Sequence, residues 1–376
     1  MMQISFEPDA VLAVAEQIAG TADFWGDDYR EALEVLAPSI ASEAGLNPTR
    51  AARAAGWLVE MLTVRARIAR ELATHPSAAA APSVRRPIFI TGLPRTGTTL
   101  LHNLMASLPG MRAYAPWEMS HVVHDRGDWR SAAFTKTDQF VRSLAALVPE
   151  FATIHPTRAD APDECHWLTR HSIASLIFGY MFYTPTFTRW VIGRPQPRVY
   201  TEHRAQLGLL ARDHDDGRRL VLKDPGHLWH LDELLKAYPD ALVVRLHRDP
   251  TEAIPSLCSL MHALHRMDSS RQDPRDVGPL AVEMVGLALT RERAHRAGAN
   301  RVSFLDLEYK DLVRDPLAAV RRVCERTGHE LDSRGVASIS AWLEANPKNK
   351  AGQHNYSPEK FGLRADEIRE RCSETW

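Results

Sequence analysis

The stretch Pro87–Leu100, PIFITGLPRTGTTL, decides the fold of this chain. Its apolar and β-branched residues Ile88–Thr91 predict a buried strand, which enters a turn at Gly92-Leu93-Pro94. A basic residue, Arg95, is followed by a glycine and two threonines, and an apolar helical pattern begins at Leu100. A strand that turns sharply into a helix directs the unpaired N–H groups of the helix N-terminus at one point, where an anion binds readily. The stretch therefore predicts an anion-binding strand–turn–helix unit.

The spacing of this loop matches a nucleoside-triphosphate-binding P-loop except at one position. Thr98 stands where the P-loop carries its lysine, and the nearest positive charge is Arg95. The predicted loop can hold a phosphate group but lacks the lysine that reaches the β- and γ-phosphates. We expect the anion to be held by Arg95 and by the backbone of Thr96, Gly97, Thr98 and Thr99.

A second basic site is predicted at the end of another strand. Residues Ala241–Asp249, ALVVRLHRD, form a buried-type strand that ends in Arg248, and the following helix contains Ser256. The guanidinium group is a planar fork of donors suited to phosphate, and the serine hydroxyl adds a further donor. Together with the first loop, this pair predicts a ligand that carries two separate phosphate groups.

From Arg86 onward, short buried-type strands alternate with helical patterns, as in a parallel sheet covered on both faces. The expected strands lie near residues 87–91, 219–223, 241–247 and 301–306. We divide the chain into a helical N-terminal segment, 1–75, and an α/β domain, 86–376. A helical insertion over 110–215 within this domain has the size of a substrate-selecting cap.

Two further motifs complete a series of four. LVLKDPGHL (Leu220–Leu228) is a strand with a polar exit, and VSFLDLEYKDLVRDP (Val302–Pro316) is a late strand followed by a helical pattern. With GLPRTGTTLL and RDPTEAIPS, they resemble, in the same order, the motifs of sulfotransferases that use 3′-phosphoadenosine 5′-phosphosulfate (PAPS). The resemblance is to the bacterial branch, which is similar to tyrosylprotein sulfotransferases, and it covers roughly residues 86–363 with gaps.

The resemblance implies a P-loop NTPase-like parallel sheet flanked by helices. It also implies metal-independent, in-line transfer of a sulfuryl group from PAPS to a hydroxyl group of a small-molecule or lipid acceptor. In the family pattern, Arg95 and the loop N–H groups hold the 5′-phosphosulfate, while Arg248 and Ser256 hold the 3′-phosphate.

Four further positions are implied near the nucleotide. Lys223, at the end of its strand, would stabilise the leaving phosphate, although its position also fits an ion pair with acidic neighbours. Tyr309 would lie close to the nucleotide, and a late loop that carries Lys348 and Lys350 would close over it.

Three residues compete for the role of catalytic base. Glu118, in YAPWEMSHV, lies near the place where the tyrosylprotein branch carries its glutamate base, and its alternative role is a surface glutamate at a helix start. His227, in KDPGHLWHL, lies two residues beyond the histidine position of cytosolic members, where this chain has Pro225. The third, Asp224, is better suited to capping the helix that begins near Gly226.

One acidic segment and one aromatic segment are candidates for contact with the acceptor. Asp160–Leu168, DAPDECHWL, resembles an acidic segment of the bacterial branch, and we expect Glu164 and His166 to point to different helix faces, so that no metal site forms. Leu176–Trp190, LIFGYMFYTPTFTRW, is either a wall of the acceptor pocket or plain hydrophobic core.

Composition narrows the remaining possibilities. The 376 residues carry a formal net charge of −1, so no global basic field favours nucleic acid or an anionic membrane. The four cysteines have no metal-binding spacing and fit reduced thiols. The sequence MMQISFEPDA lacks the pattern of a signal peptide, and no apolar stretch is long enough to cross a membrane, so we expect a cytoplasmic protein.

Two other functions remain open at this stage. An ATP-dependent small-molecule kinase is disfavoured by Thr98 and by the lack of a clear magnesium-binding acidic strand end, apart from Asp224. The other is a catalytically inactive protein that keeps the nucleotide pocket but transfers nothing, which the divergence from the family pattern at Pro225 and around Glu118 allows but does not favour. The amphipathic N-terminal helices fit either a core or the interface of a homo-oligomer.

Overall fold

A five-stranded parallel sheet forms the centre of the computed structural model, with the strand order β2-β3-β1-β4-β5. The structure describes residues 5–124, 129–150, 155–212, 216–271, 273–298, 303–347 and 357–373, so the predicted nucleotide contacts Lys348 and Lys350 lie outside the described residues. The strands are β1 (Ile88–Gly92), β2 (Met111–Arg112), β3 (Arg219–Lys223), β4 (Leu242–His247) and β5 (Phe304–Glu308).

Helices precede, connect and follow the strands of the described chain. Before the sheet come α1 (Pro8–Ala19), α2 (Asp28–Glu43), α3 (Pro48–Thr74) and α4 (Pro76–Ala79). Between β1 and β3 lie α5 (Thr98–Ala106), α6 (Pro116–Ser120), α7 (Trp129–Leu147), α8 (His166–Thr169), α9 (Ile177–Met181), α10 (Pro185–Gly193) and α11 (Pro197–Arg212). Then follow α12 (Leu231–Ala237), α13 (Pro250–Asp268), α14 (Gly278–Gly298), α15 (Tyr309–Arg314), α16 (Pro316–Thr327), α17 (Ser333–Ala345) and α18 (Ala365–Ser373).

The alternating side chains of β1 show that both faces of the sheet are buried. Ile88 and Ile90 pack in a cluster with apolar residues of α5 and α16, whereas Phe89 belongs to the larger cluster that includes α3, α11, α13 and α14. A parallel sheet with helices on both faces buries its strands on both sides, and all five residues of β1 are buried. The α/β fold class expected from the sequence is therefore confirmed.

The four strands expected from the sequence are all present, and one short strand was missed. The late strand occupies Phe304–Glu308, slightly beyond the expected 301–306, and residues 301–302 lie outside the described part. The missed strand, β2, has only two residues, Met111 and Arg112, which pair with Arg219 and Leu220 of β3. Two residues are too few to show an alternating pattern, so nothing in the sequence marks this edge of the sheet.

A buried ion pair joins the N-terminal helices to the rest of the chain. The Arg65 guanidinium on α3 donates to both carboxylate oxygens of Glu202 on α11, one of them at 2.6 Å, and both side chains are inaccessible to solvent. Ser172 Oγ donates to the same carboxylate. The contact fixes α3 against the helices that follow the first strand.

We expect Arg65→Met to lower the free energy of unfolding by about 3 kcal/mol, because the substitution leaves the Glu202 carboxylate buried without its main partner. Urea denaturation followed by circular dichroism measures the change. Arg189→Met is the control, since it breaks the exposed ion pair with Glu283 and should cost no more than about 1 kcal/mol. Equal effects of the two variants would contradict this role of the buried pair.

Two further expectations concern the cysteines and membrane spans. Cys165, Cys258, Cys324 and Cys372 are all buried free thiols, as expected from their scattered positions. Among the described residues, every helix is too short or too polar to serve as a membrane span.

Candidate active site

A cavity of about 420 Å³ opens at the carboxyl ends of the parallel strands. The residues that directly follow β1, β4 and β5 reach this cavity because all strands of a parallel sheet end at the same edge. Arg95, Arg248 and Tyr309 line this cavity together with Glu164 and His166. Ligands of open α/β sheets bind at this edge, so the cavity is the candidate active site.

Two glycines allow the loop after β1 to fold tightly. A Cβ atom on Gly92 would lie 2.5 Å from Thr96 Oγ1 and 2.6 Å from the Leu246 carbonyl oxygen. Gly97 has a φ of +86°, and a Cβ atom there would lie 2.9 Å from the Tyr309 ring. Gly97 is the N-cap residue of α5 and offers no side-chain acceptor, so the first N–H groups of α5 are available to an anion.

The two arginines predicted to hold separate phosphates lie on one cavity. Arg248 Nη1 donates to the Arg95 carbonyl oxygen at 2.7 Å, and Arg95 Nε donates to Ser256 Oγ at 3.3 Å. The Arg248 guanidinium also stacks over the Tyr309 ring, 4.5 Å from its centroid, and pairs with Glu252. The structure thus brings Arg95, Arg248, Ser256 and Tyr309 together.

A series of polar contacts links Lys223 to Thr99, Glu164 and His166, three residues that line the cavity. Lys223 Nζ, at the end of β3, donates to Glu164 Oε1 at 2.6 Å and to Thr99 Oγ1 at 3.3 Å. The other carboxylate oxygen of Glu164 lies 3.2 Å from His166 Nδ1. Lys223 therefore lies beside the loop after β1 and forms an ion pair with an acidic neighbour, while its role toward a leaving phosphate stays a prediction.

The neighbouring charges determine the charge state of the Glu164 carboxyl group. Burial disfavours the ionised form of Glu164, but the Lys223 ammonium, with His166 and His155, outweighs it and holds the pKa of this carboxyl well below its ordinary value. Burial and the neighbouring Glu164 charge raise the pKa of Asp224. Glu164 is therefore the ionised partner of Lys223, and it is a weak proton acceptor while that ion pair is intact.

Long-range hydrogen bonds place the acidic segment on the sheet. The backbone N–H of Cys165 donates to the Lys223 carbonyl oxygen at 2.8 Å, and that of Asp163 donates to the Tyr114 carbonyl oxygen at 3.2 Å.

The expectation that Glu164 and His166 point to different helix faces is wrong, because Glu164 precedes the short helix α8 and is not governed by helical spacing.

Two groups of polar side chains are close enough to hold a cation. His155, Asp163 and Glu164 form one group, and Glu164, His166 and Asp224 form the other, with potential ligand atoms in each within 4.8 Å of one another. The spacing argument against a metal site therefore does not hold. Glu164, which both groups share, already has the Lys223 ammonium at 2.6 Å as its counter-ion.

Two of the three sequence-based candidates for the base, Glu118 and His227, do not line the candidate active-site cavity. Glu118 is the third residue of α6, where it accepts from the Ala115 backbone N–H at 2.9 Å and pairs with Arg112 at 2.8 Å. His227 is buried behind the sheet edge, where its Nδ1 lies 2.9 Å from the Tyr200 hydroxyl and burial lowers its pKa well below the ordinary value. It borders a separate cavity of about 30 Å³.

Asp224, the third candidate, takes the capping role expected from its position. Its side chain accepts from the Gly226 backbone N–H at 2.7 Å and begins the short 3₁₀ helix Pro225–Trp229.

A large share of the cavity lining is apolar, and the part that we call the apolar wall comes from four parts of the chain. Its apolar lining comprises Trp57 of α3, Phe140 and Leu144 of α7, Trp167, Ile177, Tyr180 and Met181 of the segment after α7, and Leu260 and Leu264 of α13. The sequence allows the aromatic stretch Leu176–Trp190 to be either a pocket wall or hydrophobic core, and the stretch contributes to both. Phe178, Phe182 and Phe187 are buried in the core, whereas Tyr180 lines the cavity.

Three cavity residues carried no usable signal in the sequence. Trp57 lies in the N-terminal helices and seemed to mark only a packing face, although it both contacts Phe178 and borders the cavity. His155 and Arg170 flank the acidic segment without any motif of their own. Only the tertiary fold assembles them.

Comparison with known proteins supports one family. The sulfotransferase family model matches residues 87–333. The omega-hydroxy-beta-dihydromenaquinone-9 sulfotransferases Stf3 of Mycobacterium bovis (strain ATCC BAA-935 / AF2122/97) and Mycobacterium tuberculosis (strain CDC 1551 / Oshkosh) are each 27% identical to this chain over 267 residues. That match covers 64% of this chain and 62% of the length of each relative.

Two crystal structures share the whole architecture. Sulfotransferase STF1 from Mycobacterium tuberculosis H37Rv superposes with a TM-score of 0.84 at 29% identity, covering 99% of this chain and 100% of its own. Sulfotransferase STF9 from Mycobacterium avium superposes with a TM-score of 0.86 at 25% identity, covering 97% of this chain and 95% of its own. The likeness extends over the N-terminal helices as well as the sheet.

Proposed function

We propose, because this chain belongs to the sulfotransferase family, that it transfers a sulfuryl group from PAPS to the hydroxyl group of an apolar, lipid-like alcohol. One observation carries the proposal: Arg95, Arg248 and Glu164 line the same cavity as the residues of the apolar wall, and Glu164 forms an ion pair with Lys223. The cavity thus has an anion-binding part, a polar centre and an apolar part.

The residues at the anion-binding part fit a donor with two phosphate positions. The N–H groups at the start of α5 and the Arg95 side chain would hold the phosphosulfate, and Arg248 with Ser256 would hold the second phosphate. The Tyr309 ring, already stacked against Arg248 and Gly97, offers an aromatic face beside them. PAPS supplies a sulfuryl group that is activated by its bond to a phosphate.

Lys223 and His166 divide the chemical work. Lys223 stabilises the negative charge that develops on the bridging oxygen when the sulfur–oxygen bond of the donor breaks. His166 accepts the acceptor's hydroxyl proton as the new bond forms between that oxygen and sulfur. Glu164 orients the imidazole through Nδ1, which leaves Nε2 for the proton. Adenosine 3′,5′-bisphosphate and a sulfate ester are the products.

Protein cations supply the positive charge that a kinase obtains from magnesium. Arg95 and Arg248 line the cavity, and the Lys223 ammonium lies 2.6 Å from the carboxylate of Glu164, which both candidate cation groups share. We therefore propose that transfer is metal-independent.

The apolar wall favours a lipid-like acceptor. Trp57, Phe140, Leu144, Leu260 and Leu264 offer no hydrogen-bonding group to a sugar or a peptide backbone apart from one indole N–H. The name of the Stf3 relatives states that they sulfate a hydroxylated menaquinone, a lipid alcohol. Both observations support an acceptor with a long apolar body.

The reaction is tested by transfer of radiolabelled sulfate from PAPS to straight-chain alcohols of increasing length in the presence of EDTA. We expect labelled product whose rate rises with chain length, and no phosphate transfer from Mg-ATP to the same alcohols. Nucleotide binding without any sulfate transfer would instead support an inactive binding protein, and phosphate transfer would support a kinase.

We expect Arg248→Ala to weaken binding of adenosine 3′,5′-bisphosphate by about ten- to a hundredfold, the loss typical of a hydrogen bond to a charged group. Isothermal titration calorimetry measures the dissociation constant. Arg314→Ala is the matched control, because Arg314 is an exposed arginine of α15 that pairs with Asp311. Unchanged affinity in Arg248→Ala would refute the assignment of the second phosphate to this residue.

A further inference from the structure

Arg170 is a buried guanidinium on the apolar wall of the active-site cavity. It opens the 3₁₀ turn Arg170–Ser172 directly after α8, and only 6% of its surface is exposed. Its guanidinium stacks over the Trp167 ring, 4.4 Å from the centroid. Among the described residues, Arg170 has no carboxylate within ion-pair distance, and its Nε has no hydrogen-bond partner.

The chain pairs its other deeply buried arginines. Arg65 forms a bidentate ion pair with Glu202, and Arg245 donates to both oxygens of Glu292 at 2.9 Å. Burying a charge is costly unless a counter-ion and hydrogen bonds replace the lost water. Arg170 therefore departs from the rule that the rest of this chain follows, and it does so on the wall of the active site.

Neighbouring side chains leave the charge of Arg170 uncompensated. The acid that most attracts it is Glu60, but Glu60 Oε1 already accepts from Lys136 Nζ at 2.6 Å and is well exposed. Burial lowers the pKa of Arg170 to about 10, so the guanidinium remains charged at neutral pH. A charged, desolvated donor group beside a ligand cavity is complementary to an oxyanion.

We propose that Arg170 binds an oxyanion, a carboxylate or a phosphate, carried by the acceptor at a distance from its reacting hydroxyl group. The inference rests on the proposed function for the identity of the ligand as acceptor. The Trp167 ring contacts both side chains, with its centroid 5.5 Å from that of the His166 ring and 4.4 Å from the Arg170 guanidinium carbon. The reacting hydroxyl and the anion therefore occupy separate positions, joined by an apolar segment. The acceptor class is an anionic amphipathic alcohol, such as a hydroxy fatty acid or a hydroxyalkyl phosphate.

The test compares ligands that differ only in the anion. A straight-chain hydroxy fatty acid, the corresponding hydroxyalkyl phosphate and the chain-matched diol are titrated calorimetrically into the protein saturated with adenosine 3′,5′-bisphosphate. None of the three ligands can be sulfated without PAPS, so this readout does not depend on catalysis. We expect at least one of the two anions to bind at least tenfold more tightly than the diol. The stronger of the two identifies the group as carboxylate or phosphate.

Arg170→Met should abolish this preference and leave the affinity for the diol unchanged. Arg194→Met is the matched control, because Arg194 also stacks on a tryptophan, Trp190, but pairs with Glu31 and does not border the cavity. Arg170→Met should also melt no lower than the wild type, since it removes an unpaired buried charge. A purely structural role predicts a lower melting temperature and an unchanged ligand preference.

The outcomes separate this inference from the proposed reaction. Preference for an anion that disappears in Arg170→Met supports the inference even if no ligand is sulfated, in which case only the proposed reaction fails. Equal binding of anions and diol by the wild-type protein overturns it, whether or not the diol is sulfated. A preference that persists in Arg170→Met also overturns it, because the anion is then bound elsewhere.

Discussion

Replacing Lys223 by methionine should lower kcat for sulfate transfer by about two to three orders of magnitude. Lys223 is buried, and its Nζ lies 3.3 Å from Thr99 Oγ1 at the start of α5, where the proposed reaction places the phosphosulfate. Removing it takes away charge stabilisation that matters most in the transition state, so the dissociation constant of adenosine 3′,5′-bisphosphate should change by much less than kcat. Single-turnover kinetics with saturating PAPS isolates this step.

A second variant accounts for the acid that Lys223 leaves behind. In Lys223→Met, the carboxylate of Glu164 loses its counter-ion, and the protein should lose stability as well as activity. Lys223→Met combined with Glu164→Gln restores electrical neutrality and should recover stability without recovering kcat. If the double variant regains wild-type turnover, Lys223 serves only to neutralise Glu164.

The second large effect is expected at His166. His166→Asn should lower kcat by about two to four orders of magnitude, because asparagine retains a polar contact for Glu164 but cannot accept the hydroxyl proton. The donor affinity should stay within a few-fold of the wild type, since His166 contacts Glu164, whereas Arg95 and Arg248 are held by Ser256 and by the Arg95 carbonyl oxygen. Steady-state kinetics with a straight-chain alcohol measures both quantities.

Glu118→Gln and His227→Gln provide the comparison for this assignment. Glu118 caps α6 and pairs with Arg112, so its replacement should reduce stability more than turnover per folded molecule. His227 is buried against Tyr200 and Phe89, and its replacement should likewise act through packing. If either of these variants, rather than His166→Asn, abolishes turnover of the folded protein, the base is the residue that the sequence alone favoured.

The sequence predicts that Arg95, Arg248 and Tyr309 meet at one edge of the sheet, because local rules determine their positions, while their role in binding an anion stays a prediction. A parallel strand followed by a glycine-containing turn and a helix start places Arg95 and the N–H groups of α5 at one edge of the sheet. Arg248 and Tyr309 directly follow strands of the same sheet, so the topology carries them to the same edge.

The polar centre could not be predicted, because contacts distant in sequence create it. Glu164 reaches Lys223 only because the Cys165 N–H pairs with the end of β3, a hydrogen bond that no periodicity encodes. Glu118 lies near the place of a catalytic glutamate in the sequence, but it stands three residues after Ala115. Its side chain therefore accepts from the Ala115 N–H and caps the short helix α6.

The acceptor side is the least visible in the sequence. Trp57, Phe140 and Leu264 come from three helices, and each fits an ordinary packing face when its helix is considered alone. Arg170 belongs to no recognisable motif. It stands out only in the structure, because it is buried and has no ion-pair partner among the described residues.

Calorimetric titration of adenosine 3′,5′-bisphosphate in EDTA, compared with adenosine 5′-monophosphate and with Mg-ATP, most directly tests whether Arg95 and Arg248 hold two phosphate positions of one ligand. We expect the bisphosphate to bind at least tenfold more tightly than the monophosphate, and Mg-ATP to show no comparable binding. Equal affinity for the bisphosphate and the monophosphate, or tighter binding of Mg-ATP, would contradict the two-phosphate site on which the proposed sulfotransferase reaction depends.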